Sequence, residues 1–179
     1  MSYELRLLHE SELDLIWSID RREVITHLYK LRGDGQLVEE PAYFDMQGWP
    51  PGEAQIYGPI LAACYARGGV FLGAFAGMRL AGVAVVDRRW RGPQQDLLQL
   101  AFLHVSYADR GNGLGQRLFS AARAAAQDLG ANGLYISATP SVHTIRFYQF
   151  MGSRPIEHPD PELYAQEPED IHLECRFDS

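Results

Sequence analysis

Strands and helices alternate irregularly along this chain, an order that predicts a mixed α/β or α+β fold in one domain spanning 1–179. Three observations carry the prediction. Leu97 to Val105 is an apolar run of buried-strand length that breaks into a polar turn and then, past Gly111, Gly113 and Gly115, into a helical pattern. Val70 to Ala76 and Leu80 to Val86 flank Gly77-Met78-Arg79, the pattern of a hairpin of well-buried strands. Ile171, Leu173, Cys175 and Phe177 alternate with His172, Glu174 and Arg176, the period of a final strand. At 179 residues and 46% hydrophobic content, the chain is the size of about one domain with a proper core.

From the start of the chain, Tyr3-Glu4-Leu5-Arg6-Leu7 alternates like a half-buried strand. Ser11 with Asp14 marks a helix start, and Leu13, Ile16 and Trp17 form its apolar stripe. Between 20 and 51, Val24 to Leu31 and Leu37 to Phe44 read as strands around the turn signal Gly33-Asp34-Gly35. Pro50-Pro51-Gly52 precedes a helical pattern from Glu53 to Ala66, which Pro59 should kink or split. Arg88 to Gln95 is a polar loop. After the glycines, Leu114, Leu118, Ala121, Ala122, Ala125 and Leu129 share one helical face, and Gly130 stops the helix. Leu134 to Ala138 is a short strand, and Pro140-Ser141 opens a helix that runs through Met151 to Gly152. Pro155 to Pro168, acidic and proline-bearing, reads as a loop before the last strand.

Composition excludes several classes. A formal charge of −7 and a pI near 5.3 argue against a nucleic-acid binder and are compatible with a cationic acceptor. Cys64 and Cys175 lie far apart and in no ligand spacing, so they read as reduced core thiols in a cytoplasmic protein. The opening MSYELRLLHE lacks the apolar run of a signal peptide, and no stretch approaches the roughly 20 apolar residues of a membrane span. No HExxH or comparable spacing suggests a metal.

A strand that ends in exposed glycines at a helix start is suited to a phosphate, because the first amides of the helix lack internal partners and its dipole favours negative charge. A Walker loop needs Lys and Ser or Thr after its last glycine, where this chain has Gln116 and Arg117. A dinucleotide fingerprint needs a third glycine where Gln116 stands. What fits is Arg110-x-x-Gly113-x-Gly115 after an apolar strand, which resembles the pyrophosphate loop of the GCN5-related N-acetyltransferases (the GNAT family). A second element, Ser141-Val142-His143-Thr144-Ile145-Arg146-Phe147-Tyr148 followed by Gly152, resembles that family's Asn-x-x-Ala-x-x-Phe-Tyr segment; Ser141 and Thr144 depart from the commoner Asn and Ala. The resemblance covers about Val70 to Gly152.

The resemblance implies a central, mostly antiparallel sheet of about seven strands flanked by helices, with 20–51 as an N-terminal insertion. It implies acetyl-coenzyme A as acyl donor, no metal, and direct attack of a primary amine, from a small molecule or peptide, on the thioester. Backbone groups of Leu103, His104 and Val105 would meet the pantetheine arm. Arg110, Gly111, Asn112, Gly113, Leu114, Gly115 and Gln116 would cradle the pyrophosphate, Ser141 would bond the cofactor arm, and Tyr148 would protonate the leaving thiolate. The position of the strand glutamate found in the histone-acetylating branch holds Gln99, an amide that cannot take a proton. His104, Glu23, Asp45, Glu53 and Glu169 are alternative bases, beside a water chain or an acceptor that arrives neutral. The family also forms dimers, for which the last strand is an available edge. Taken singly, the loop is a tight turn, Tyr148 and His104 are packing residues, and His143 and Arg146 are a solvated helix face. With the carboxylate missing, a non-catalytic acyl-coenzyme A-binding regulator is the alternative function.

Overall fold

A computed structural model describes residues 2–178. The elements are β1 (Glu4–Leu7), a 3-10 helix (Glu10–Ser18), β2 (Glu23–Leu31), β3 (Leu37–Met46), α1 (Glu53–Ala66), β4 (Val70–Ala76), β5 (Arg79–Arg91), β6 (Leu97–Val105), a 3-10 turn (Tyr107–Asp109), α2 (Leu114–Asp128), β7 (Gly133–Ala138), α3 (Val142–Phe150), β8 (Arg154–Pro155), α4 (Pro161–Gln166) and β9 (Ile171–Arg176). Seven strands form one sheet in the order β1-β4-β5-β6-β7-β9-β8, and β2 and β3 form a separate two-stranded sheet. The large sheet is mostly antiparallel, with β6 and β7 parallel. The mixed α/β prediction and the seven-stranded sheet are both observed.

The chain divides into two compact units. The first is built from the stretches up to Glu23, Met46–Arg88 and Leu100–Ala125. Its core brings Ile16 and Ile19 of the N-terminal segment and Leu61 and Cys64 of α1 onto Phe71, Phe75, Val83 and Phe102 of the strands. Gly82 of β5 is required by packing: a Cβ there would stand 2.8 Å from Leu118 Cδ1 on α2 and 3.1 Å from the His104 carbonyl. Asp87, buried at the end of this part of β5, is held by two bonds from Arg67, at 2.8 and 2.6 Å.

The second unit comprises Val24–Asp45, Arg89–Gln99 and the chain from Ala126 onward. Here β6 pairs with β7 through Leu97, Leu98 and Gln99, and β9 pairs antiparallel along the whole of β7. Tyr135, Leu97, Ile156 and Leu163 form its apolar centre. The Tyr135 hydroxyl accepts from the Asp160 amide at 2.9 Å and shares a hydrogen bond with His172 Nδ1 at 2.7 Å. The β2–β3 hairpin turns at Gly35, whose φ of +83° needs glycine. The hairpin is tied to the start of α3 by the Tyr29 amide, which donates to the Pro140 carbonyl at 2.8 Å.

Five sequence expectations are corrected. The first helix starts earlier than Ser11 and is 3-10, because the Glu12 carboxylate accepts from the His9 amide at 2.9 Å and from both terminal nitrogens of Arg6. Pro59 neither ends nor splits α1; burial of Leu61 and Cys64 outweighs the bond that its ring forfeits. β5 continues to Arg91 through the supposed loop, since Arg91 is only 4% exposed and pairs with Asp160 and Glu162. The tail Pro155 to Pro168 contains α4, capped by Asp160 with Pro161 in its first turn. The last strand lies between β7 and β8 and is not an edge. Trp17 and Trp49 pack on the core, whereas Trp90 is exposed.

Substituting Gly82→Ala should cost about 1–3 kcal/mol, because the new methyl meets backbone on one side and a buried leucine on the other. Thermal unfolding should show a melting point lower by roughly 2–10 °C; an unchanged melting point would mean that α2 does not rest on this strand.

Candidate active site

In the first unit, β6 gives way to α2 through a loop whose first residues are held by hydrogen bonds to Ala81, Asp20 and one another. The Ser106 amide donates to the Ala81 carbonyl at 2.8 Å, and the Asp109 amide donates back to the Ser106 carbonyl at 2.8 Å. The Ser106 hydroxyl accepts from the Asp20 amide, while the Tyr107 amide donates to the Asp20 carbonyl, each at 2.8 Å. Gly111 and Gly113 then adopt φ of +79° and +85°, a conformation that side chains with a Cβ rarely reach. Gly111, Asn112, Gly113 and Gln116 are exposed, Leu114 is buried, and a Cβ on either left-handed glycine would meet open space. The Arg117 amide makes the bond back to the Gly113 carbonyl, at 3.1 Å. The amides of Leu114, Gly115 and Gln116 therefore precede the first helical bond and lack an acceptor within the helix. Open space above left-handed glycines, followed by those amides, fits a diphosphate.

The Arg110 side chain is folded onto its own strand. Its Nε donates to the Val105 carbonyl at 2.9 Å and its Nη1 to the Arg22 carbonyl at 3.0 Å. Asp109, completely buried, accepts from Arg79 at 2.7 and 3.0 Å and from the Tyr3 hydroxyl at 2.9 Å. The hydrogen bonds from Arg79 hold its carboxyl below the usual carboxylate range. Neither Tyr3 nor Arg79 carries a sequence signal, since they lie 106 and 30 residues from Asp109 along the chain.

An aromatic wall lies against the C-terminal end of β6, next to the loop, in the same unit. The Trp49 ring meets His104 edge-on at 4.9 Å and Trp17 at 4.9 Å, and it stacks on Phe102 at 6.2 Å. Arg21 lies 5.0 Å over Trp49 and 3.6 Å from the Glu53 carboxylate, too long for a hydrogen bond. Burial, with the charges of Arg21 and Arg110, pushes His104 down to about 3, so its imidazole is neutral and a very weak base. Glu53 behaves oppositely. Its side chain is 20% exposed, and burial raises its carboxyl above the ordinary value despite Arg21.

Ser141 and Tyr148 belong to the second unit. Ser141 caps α3: its hydroxyl accepts from the Thr144 amide at 3.3 Å and donates to the Thr144 hydroxyl at 2.8 Å. That leaves one lone pair for any other ligand. Tyr148, on the buried face of α3, is 7% exposed, with its ring 5.3 Å from Phe147. Burial, and secondarily the Asp170 carboxylate, raise its phenol well above the ordinary value. His143 and Arg146 are on the exposed face of the helix, where Arg146 meets Tyr29 and Glu39 of the hairpin. Gln99 pairs with Tyr135 in the β6–β7 ladder. Among the described residues, no group of three or more His, Cys, Asp or Glu is placed to hold a metal ion, and no helix is long and apolar enough to cross a membrane.

The family model for the acetyltransferase (GNAT) family matches residues 36–152. No curated protein matches the chain by sequence. Among solved structures, a protein described as a streptothricin acetyltransferase of Bacillus anthracis, in complex with acetyl coenzyme A, is 19% identical with a TM-score of 0.76, covering 99% of this chain and 100% of that one. Nourseothricin acetyltransferase is 20% identical with a TM-score of 0.72, covering 98% of this chain and 99% of the other. The PaiA N-acetyltransferase of Thermoplasma acidophilum, in complex with coenzyme A, is 16% identical with a TM-score of 0.64 over 99% and 100% of the two chains. At these identities, the likeness to the solved structures is one of fold.

Replacing Gly113 by Val places a β-branched residue at φ +85° on the open side of the loop. The strain costs on the order of 1–2 kcal/mol or more. Calorimetric titration with coenzyme A should show affinity at least tenfold weaker while the far-ultraviolet circular dichroism stays unchanged; undiminished binding would mean that the cradle is elsewhere.

Proposed function

The chain belongs to the acetyltransferase (GNAT) family, and on that premise we propose that it transfers an acetyl group from acetyl-coenzyme A to a primary amine of a small molecule or peptide. The observation that carries this reading is the β6–α2 loop, where two left-handed glycines under open space lead into the unpartnered amides of Leu114, Gly115 and Gln116. These amides, with those of Gly111 to Gly113, take the diphosphate; the Arg110 amide, expected to join them, instead donates to the Tyr107 carbonyl at 3.4 Å. The guanidinium of Arg110 acts indirectly by holding the end of the strand.

The thioester then lies along Leu103, His104 and Val105, where a backbone amide polarises its carbonyl as negative charge develops on the oxygen. The amine nitrogen bonds to the carbonyl carbon, the carbon–sulfur bond breaks, and the sulfur leaves with the electron pair. One proton must leave the nitrogen and one must reach the sulfur. Tyr148 supplies the second: a phenol held un-ionised by burial stays a donor at every physiological pH.

We assign the first proton to Glu53. His104 is too weak a base, and Gln99 has no basic site. Glu53 combines a raised carboxyl with an Arg21 partner that stands 3.6 Å away, and Arg21 itself lies over Trp49, whose ring meets His104. A carboxyl raised by burial retains basicity that the acids held by close Arg partners, such as Glu12 and Glu162, have lost. The cytoplasm, with its supply of acetyl-coenzyme A, is the setting that this reading implies.

Turnover of acetyl-coenzyme A against a panel of amines tests the proposal, because a binding protein without activity would take up coenzyme A and leave the thioester intact. Tyr148→Phe should lower kcat by roughly 10- to 1,000-fold with little change in coenzyme affinity; an unchanged kcat would remove Tyr148 from the chemistry. For the wild type, kcat/KM should fall on the acid side with a midpoint above about 4.3, the unperturbed glutamate value. Glu53→Gln should lower the plateau by about 10²-fold and abolish that limb. A limb that persists in Glu53→Gln would assign the base to another group.

A further inference from the structure

We infer that Tyr3 is a positioning residue for the coenzyme, setting the shape of the glycine loop from outside it; this rests on the reading of that loop as the diphosphate cradle. Tyr3 precedes β1 and holds the strand-loop-helix passage at three places. Its hydroxyl donates to the buried Asp109 carboxylate at 2.9 Å and accepts from the Asn112 side-chain amide at 3.0 Å. Its carbonyl accepts from Arg117, in the first turn of α2, at 3.5 Å. Asn112 stands between the left-handed Gly111 and Gly113, so it is the only side chain by which that pair of flexible residues can be held. A hydroxyl that gives its proton to Asp109 is oriented to receive Asn112, and Asp109 is itself oriented by Arg79.

Register places both outer partners at one end of the sheet. Glu4, next to Tyr3, pairs with Phe75, and Ala76 pairs with Arg79. The loop is thus fastened to β5, through Arg79, and to the residue that precedes β1, both distant from it in sequence. Two glycines one residue apart lose much backbone freedom on binding. A loop already held in one conformation loses less, and its affinity is correspondingly higher. Removing the Tyr3 hydroxyl frees Asn112 and leaves one bond of Asp109 unmade, without removing any group assigned to the coenzyme.

Calorimetric titration with coenzyme A, with melting temperature and steady-state kinetics alongside, tests this in Tyr3→Phe. Arg6→Gln is the control: it breaks a two-bond ion pair with Glu12 on the same N-terminal strand, with no bond to the loop. Tyr3→Phe should raise the coenzyme A dissociation constant and the KM for acetyl-coenzyme A by about 5- to 10-fold, with kcat held within about twofold. Arg6→Gln should lower the melting temperature and leave both constants alone. The positioning role is overturned if Tyr3→Phe binds like the wild type, or if Arg6→Gln weakens binding as much. A wild-type chain that fails to bind coenzyme A would instead remove the cradle, and this inference with it.

Discussion

The passage from β6 to α2 is the constraint on which the site depends. A strand must reverse into a helix between Ser106 and Gly113, and the backbone does so only by adopting left-handed conformations twice. That requirement selects glycine at Gly111 and Gly113, and the absence of side chains there is what leaves the helix-initiating amides accessible. On the proposed reading, anion binding is a by-product of the shape of the connection. Several neighbours serve the same turn. Gly82 admits Leu118 so that α2 can come down onto β5, Asp20 brackets Ser106 and Tyr107, and Arg110 ties the turn to the last carbonyl of the strand.

Net charge is a poor guide to the field at this place. The chain carries −7 overall, yet Arg21, Arg22, Arg79, Arg110 and Arg117 all take part in bonds or ring contacts around the loop and the end of β6. Burial is the main cause of the depression of His104, and Arg21 and Arg110 add to it as nearby positive charges. Such charges favour a polyanionic coenzyme within an acidic chain. Burial and these charges keep His104 neutral, while burial raises the Glu53 carboxyl despite Arg21.

Much of the fold was legible because its periodicities are local. The apolar runs of β4, β5 and β6, the one-sided α2 and the alternating sequence of β9 all mark elements the chain forms, although β9 buries both of its faces, His172 and Glu174 included. The misread elements share a different cause. β5 runs on through Arg88, Arg89 and Trp90 because Arg91 finds Asp160 and Glu162, and α1 accepts Pro59 because Leu61 and Cys64 are buried. In each case a distant partner reversed a local preference. The helix after Asp160 is an exception, since its Asp-Pro start is a capping signal within the sequence itself.

The site divides in the same way. Sequence alone determined that a glycine-rich turn follows an apolar strand, that Walker and dinucleotide spacings fail, and that a Phe-Tyr pair follows on a later helix. These are statements about order and spacing, which the chain carries covalently. Tertiary structure decided that Ser141 caps its own helix, that His104 is stripped of basicity, that Glu53 gains it, and that Tyr3 and Arg79 fasten Asp109. Each of those depends on desolvation or on a charge brought near by folding. Neither exists until groups far apart along the chain share one low-dielectric neighbourhood.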